Sequence, residues 1–387
     1  MSARMPDILV IGGGISGVAA AYEMARTGAR VTVLEARRLG AMASGWTLGG
    51  VRQSGRDPAE LPLAIAAVRR WTTLDEELGA QTGYRRHGNL RLARNEAEID
   101  VIKALVASQT AQGLDLTFLP DRAAIRAVAP VIGDSVLAAS FCPGDGHADP
   151  DATVQGYAAA ARRHGADIRE GVRVRSLRLQ GGRVIGVETD DGPFFADRVV
   201  VATGIHAPEL LAPCGVALPL SVRRVCVLQT VPSTEKFLPV FGVANADAAG
   251  RQERDGRFRV TTGIGDWPGD PAGWTQDALQ PGCADIARLI ERTTAILPCL
   301  SGLGINRVWG GLIDLTPDAL PVIDADTGVD GLVVAAGFSG HGFGIGPVTG
   351  EIISALTLGG TQPYDLAPFR AGRFASRQAF APLTLHG

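Results

Sequence analysis

The chain has 387 residues, 46% of them hydrophobic and 20% charged, enough to bury a large core in two domains or in one α/β domain with an insertion. A formal net charge of -3 excludes an electrostatic case for nucleic acid or an anionic membrane as partner. The cysteines, Cys142, Cys214, Cys226, Cys283 and Cys299, are odd in number and form no CxxC pair, which excludes a disulfide framework, a zinc site and an iron–sulfur site; no metal is expected.

The first segment, "MSARMPDILVIGGGISGVAAAY", is apolar, but three successive glycines interrupt it and no small-residue cleavage site follows a basic start. Neither a signal peptide nor a membrane span is expected, and a cytoplasmic location follows as the default. Within it, "ILVI" reads as a buried parallel strand, and "GGGISG" follows as Gly12-x-Gly14-x-x-Gly17. A helical pattern runs to a stop at Gly28, and "ARVTVLE" reads as a second strand ending at Glu35. This is the βαβ dinucleotide fingerprint in its full context. Gly12 permits the tight turn, Gly14 lets backbone approach a pyrophosphate, and Gly17 allows close packing of helix on strand. Ile15 and Ser16 open the helix whose N-terminal amides and dipole favour a phosphate. Glu35 is placed to accept hydrogen bonds from a ribose diol. The pattern alone does not choose between NAD and FAD.

Residues 36–56, "ARRLGAMASGWTLGGVRQSGR", form a glycine-rich loop of the kind that binds ligands. Helical patterns follow at 59–80, 95–113 and 153–165. From residue 167 the period changes to two, and antiparallel strands are predicted with turns at Gly181-Gly182 and Asp191-Gly192, followed by the apolar strand "RVVVATG". Residues 216–320 mix strand-like and helical segments and hold Trp267, Trp274 and Trp309; a substrate domain is expected there. The strand "GLVVAAG" then runs into "GFSGHGFGIGPVTG", which packs six glycines and one histidine into residues 337–350.

Taken in order, "DILVIGGGISGVAAAYEMARTGARVTVLE", "ASGWTLGGVRQ", "DGHADP", "VVVATG", "WGGLIDLTPDALPVID" and "GFSGHGFGIGP" resemble, end to end, the D-amino-acid oxidase and sarcosine oxidase family of FAD-dependent amine oxidoreductases. "GGVRQ", "DGHADP" and "TPDALP" look most like the sarcosine oxidase β subunit and its opine and hydroxyproline dehydrogenase relatives. The resemblance implies an α/β fold: a Rossmann-like FAD-binding domain of glutathione-reductase type (1–80, 147–215 and 325–370), an interleaved antiparallel-sheet substrate domain (81–146 and 216–324) and a tail at 371–387. It extends the cofactor-binding set beyond the fingerprint to Ala36 and Arg37 after Glu35. It adds Ser44, Gly49, Gly50 and Val51 in the loop, Val174, and Ala202, Thr203 and Gly204 after the later strand. It also places Gly337, Gly340, His341, Gly342, Phe343 and Gly344 along the flavin ring, where only glycine lets amides reach the ring edge. Pro347 would then sit in the first turn of a helix, "PVTGEIISALTLGG", whose positive end favours an anionic reduced flavin.

The departures matter as much. Monomeric sarcosine oxidases carry a flavin-linking cysteine shortly before "TPD", and this chain has none there, so FAD is expected to be non-covalent. They also place a lysine after "GHGF", where this chain has Gly344; Lys103 and Lys236 are its only lysines. An amine-oxidising flavoenzyme must anchor the substrate carboxylate, and bidentate geometry favours arginine. Arg52 and Arg259 are the candidates, with structural salt bridges as the alternative. His341 is either a proton shuttle or a ring packed on the flavin loop and bonded to backbone; His87 is a weaker candidate. The expected function is FAD-dependent oxidation of the C–N bond of an amino acid or secondary amine by hydride transfer, with partner subunits passing electrons onward as an option. A non-catalytic FAD-binding assembly protein and a pyridine-nucleotide-dependent flavin reductase remain the alternatives.

Overall fold

The computed structural model describes residues 7–271 and 273–375; residues 1–6, 272 and 376–387, with most of the expected tail, lie outside them. Its first layer is a six-stranded sheet in the order Val322–Asp324, Leu332–Ala336, Arg198–Val201, Asp7–Ile11, Arg30–Glu35 and Asp167–Glu170. Only the pair Val322–Asp324 and Leu332–Ala336 is antiparallel. The run "ILVI" is apolar without interruption because both of its faces are buried. Ile8 and Val10 pack among helices Ile15–Ala25, Leu61–Trp71, Pro150–Arg163 and Gly342–Leu358, whereas Leu9 and Ile11 face Val184 and Val187 of a three-stranded meander.

That meander comprises Val174–Gln180, Arg183–Thr189 and Gly192–Phe195, which corrects the reading of 167 onward as antiparallel. Asp167–Glu170 pairs in parallel with Arg30–Glu35, Thr32 opposite Asp167. Alternation along a strand reports which side chains face inward, but carries no information about the partner strand.

The second layer is an eight-stranded sheet in the order Ile305–Leu315, Ser221–Pro232, Arg257–Asp266, Ala248–Gln252, Val240–Val243, Asn89–Ala93, Ala138–Cys142 and Thr117–Leu119. One face packs Leu228, Phe241, Phe258 and Val260 against Leu289 and Ile296 of helix Cys283–Ile296. Val225 and Val227 point to the other face, toward the first layer. Among the described residues no helix is long and apolar enough to cross a membrane.

The C-terminal helix also departs from expectation. It starts at Gly342 rather than near Pro347, so Pro347 lies inside it. Proline removes one intrahelical donor and crowds the preceding turn. Neighbouring side chains brace that turn: Trp71 Nε1 donates to the Gly344 carbonyl at 2.7 Å, and Arg70 Nη1 to the Pro347 carbonyl at 3.0 Å. Arg70 is in turn ion-paired with Glu23, Glu77 and Glu351. The loop 36–56 likewise contains short ordered pieces, helix Ala43–Trp46 and strand Gly50–Val51, the latter paired with Gly146–His147.

Candidate functional site

The fingerprint loop is held open by its own hydrogen bonds. The Gly12 amide donates to Leu34 O at 2.9 Å, the Gly13 amide to Glu35 Oε2 at 2.6 Å, and the Ile15 amide to Ser44 Oγ at 3.0 Å. Gly12 has φ +107°, and a Cβ there would overlap the Ala202 carbonyl oxygen. Gly17 presses its bare Cα on the Gly12 carbonyl, as the close approach of helix and strand requires. Burial pushes the Glu35 carboxyl up, and its bonds from the Gly13 and Arg37 amides oppose this. Among the described residues the amides of Gly14 and Ser16 donate to no other group, so the helix N-terminus points two donors at whatever lies before it.

Before it lies a cavity of ≈ 390 Å³ between the two layers. Gly12, Gly14, Ile15 and Ser16 line one stretch, followed by Glu35, Ala36 and Arg37, then Ser44, Gly50 and Arg52. Val174, with Ala202, Thr203 and Gly204, lines another part; Gly340, His341, Gly342 and Phe343 close the far end. The remaining sequence candidates stand behind this wall. Val51 is fully buried, Gly49 lies against the Ala148 carbonyl, and Gly337 (φ +69°) lies against Thr316. A Cβ on Gly344 would come 2.9 Å from the Gly50 carbonyl, so the helix approaches strand Gly50–Val51 too closely for a lysine to replace this glycine unstrained.

Arg52 lines the cavity, and its guanidinium forms no hydrogen bond or ion pair with the described residues. Burial, with Arg56 and Arg91 nearby, pushes it down to about 9, while Asp145 and Glu60 oppose the shift; it remains a cation at neutral pH. Arg259 is placed differently. It is outside the cavity wall, ion-paired with Glu253 at 2.6 Å, donating to Thr47 O at 3.0 Å and lying 5.3 Å over the Trp309 ring. His341 is buried against the wall, with Nδ1 3.2 Å from Glu60 Oε2. Burial and Arg56 push it down to about 4, Glu60 opposing, so it is neutral at physiological pH. His87, Lys103 and Lys236 are exposed and away from the cavity.

Four functional positions had no local signal in the sequence. Trp46 and Trp274 line the cavity with ring centroids 6.1 Å apart, and Arg37 lies 3.8 Å over Trp274 while donating to its carbonyl. Asp314 accepts from the Gly337 amide at 2.6 Å, and burial pushes its carboxyl up to about 6; it clamps the glycine loop to the long strand Ile305–Leu315. Glu60 holds His341. Of these, Trp46 and Asp314 lie within the motifs "ASGWTLGGVRQ" and "WGGLIDLTPDALPVID" and Trp274 in the expected substrate domain, but no motif assigns any of them a role.

The cavity is elongated, has a phosphate-type helix N-terminus in one wall and a glycine loop at its end. It also carries buried polar atoms with no partner among the described residues: Thr203 Oγ1, Trp46 Nε1 and Trp274 Nε1. A dinucleotide with several acceptors fits that set. Residues 7–356 match the family described as DAO, FAD dependent oxidoreductase. The chain belongs to this family. It is therefore an FAD-dependent oxidoreductase of the group with amine and amino-acid oxidising members.

The mitochondrial dimethylglycine dehydrogenase of Mus musculus is 28% identical over 96% of this chain and 45% of its own. The sarcosine oxidase subunit beta of Rhizobium meliloti (strain 1021) is 28% identical over 95% of this chain and 88% of its own. The crystal structure of L-proline dehydrogenase from P. horikoshii superposes with a TM-score of 0.87 at 28% identity, covering 96% of this chain and 98% of that one. The chain thus spans about half the length of the dehydrogenase and most of the other two.

Proposed function

We propose that the protein oxidises the C–N bond of an amino acid bearing a primary or substituted amine to the imine, which water then hydrolyses. Arg52 carries this reading. A half-buried guanidinium among like charges, bonded to no anion among the described residues, in a cavity that Gly242, Ala246, Ala248, Ala249 and Thr262 also line, is a docking point for a carboxylate beside room for a small substituent. The three relatives are named for dimethylglycine, sarcosine and proline, each an amino acid with a substituted nitrogen.

The FAD bound there would supply the hydride acceptor for the carbon beside the amine nitrogen. Gly12, Gly14, Ser16 and Glu35 would hold its nucleotide half, and Gly340, Gly342 and Phe343 the ring. The residues of the chain orient and exclude: Arg52 fixes the carboxylate, and the two sheets keep water out while the bond breaks. A relative that is itself a subunit supports a partner chain that takes the electrons onward.

Anaerobic mixing of the yellow protein with sarcosine, D-amino acids, hydroxyproline isomers and opines tests the reading, and at least one of these should bleach the flavin. Bleaching by NADH alone would point to a flavin reductase, and bleaching by none to a cofactor-binding assembly protein. No cysteine lines the cavity, so the link to FAD is proposed to be non-covalent. Acid precipitation should leave yellow flavin in the supernatant; colour kept in the pellet would reverse that expectation.

A further inference from the structure

The layer that holds Arg259 also sends one aromatic side chain to the nucleotide end of the cavity. Between Gly263 and Arg288 only Trp274 and Leu279 are buried among the described residues, so this excursion from the sheet has no core of its own. Trp274 does not join Leu228, Phe241 and Phe258 beneath helix Cys283–Ile296. It packs instead against Trp46 and Ile205 of the FAD-binding layer and lines the cavity. The chain just after it is pinned in place. Thr275 caps the short helix Gln276–Leu279, a Cβ on Gly310 would overlap the Leu279 carbonyl, and Arg224 donates to the Gln280 carbonyl at 3.3 Å. Trp274 is therefore held at a fixed point of the wall. Arg37 meets it there from the other layer, with its guanidinium 3.8 Å over the ring and donating to the Trp274 carbonyl at 3.2 Å. Among the described residues that guanidinium bonds to Trp274 alone. The Arg37 amide donates to Glu35 Oε1 at 2.8 Å, and Glu35 is the ribose acceptor of the fingerprint. Ring and guanidinium thus stand at the nucleotide end, apart from the glycine loop that would carry the flavin.

We propose that Trp274 is a cofactor-binding residue supplied by the substrate layer, and that with Arg37 it forms a clasp over the nucleotide half of FAD that must part before the cofactor leaves. This goes beyond the reading of the site as amine-oxidising and does not rest on it, because it concerns only how the cofactor is kept. The fingerprint holds the nucleotide from one layer, through the Gly14 and Ser16 amides and Glu35. Trp274 adds the second layer, and the stacked Arg37 ties the two together across the cavity mouth. A cation laid on an indole is held more strongly once water is excluded from the pair. A nucleotide seated against Glu35 shuts water out from the cavity side, so the clasp tightens on the ligand it covers. Release of FAD then requires the Arg37–Trp274 contact to break first.

The holoprotein tests this without turnover. Dilution frees FAD, whose fluorescence gives both its release rate and its Kd, and displacement of FAD by added ADP gives the Kd of a ligand that shares the nucleotide half and lacks the flavin. Trp274→Ala should weaken FAD and ADP by a similar factor, about tenfold. Trp274→Phe keeps a ring under Arg37 and should recover most of that loss. Arg37→Met keeps the length of an exposed side chain and should release FAD about tenfold faster, while the absorbance of the bound flavin stays unchanged. A loss of FAD affinity with ADP affinity intact overturns the proposal, since Trp274 would then act at the flavin. Parental affinity for both ligands in a Trp274→Ala protein that merely melts lower overturns it too, as a packing role alone. Should Trp274→Ala fail to fold, the release rate of Arg37→Met decides: release at the parental rate overturns the clasp.

Discussion

Gly17→Ala is expected to yield a protein that purifies without flavin and unfolds several degrees below the parent. The added Cβ would overlap the Gly12 carbonyl oxygen and touch Val10 Cγ1 at 3.4 Å. Neither neighbour can turn aside. Gly12 is backbone, fixed at φ +107° by its own contact with the Ala202 carbonyl and by its bond to Leu34 O. Helix Ile15–Ala25 must therefore lift off the sheet. All eleven of its residues are buried, so that movement opens the core along its length. Overpacking of this kind costs about 1–3 kcal/mol when side chains can yield; with the Gly12 backbone as the clashing neighbour the upper end applies. The same shift draws the Gly14 and Ser16 amides out of line with a phosphate, so cofactor loss should exceed what the stability change alone would give. Thermal unfolding with and without excess FAD separates the two effects: a variant that binds FAD with parental affinity would show that the helix has somewhere else to go.

What could be read from the sequence was whatever is decided locally. The fingerprint is a turn, a helix N-terminus and an acid on the next strand, all within residues 12–35, so the motif is legible as one short stretch even though Gly12 also needs its bare Cα against the Ala202 carbonyl. The glycine run at 337–350 is similar: Gly340 (φ +83°) and Gly337 have positive φ, and the need for bare backbone shows in the composition. Partnerships across the chain were hidden. Whether Asp167–Glu170 pairs in parallel or turns back depends on Arg30–Glu35, which lies more than a hundred residues earlier. Pro347 looked like a first-turn residue because proline usually is one. Nothing near it shows that Trp71 and Arg70, on another helix, would donate to the carbonyls of Gly344 and of Pro347 itself. Glu60 was unremarkable in a helical pattern, and its pairing with His341 is a contact across 281 positions. Arg52 and Arg259 were equally plausible as arginines; the difference between them lies in Glu253, which faces one and not the other.

That difference gives opposite expectations for the two arginines. Arg52→Met should lower the limiting reduction rate over Kd for a carboxylate-bearing amine by about 30- to 5,000-fold, corresponding to the roughly 2–5 kcal/mol lost when one partner of a desolvated charge pair is removed. An amine of the same shape without a carboxylate should be affected little, because it never used the guanidinium. Stability should move the other way. In the free protein Arg52 is a half-buried cation beside Arg56 and Arg91 with no bonded anion among the described residues, and methionine of similar length removes a charge whose desolvation is not fully offset; the variant should melt at or above the parent temperature. Arg259→Met removes the Glu253 ion pair, the bond to Thr47 O and the stacking on Trp309. It leaves Glu253, only 13% exposed, with its charge uncompensated on that side, and it should melt lower by an amount reflecting about 2–4 kcal/mol. Its selectivity between carboxylate and non-carboxylate amines should stay near that of the parent. If instead Arg259→Met abolishes that selectivity while Arg52→Met retains it, the carboxylate docks at Arg259 and the cavity wall has been assigned the wrong anchor.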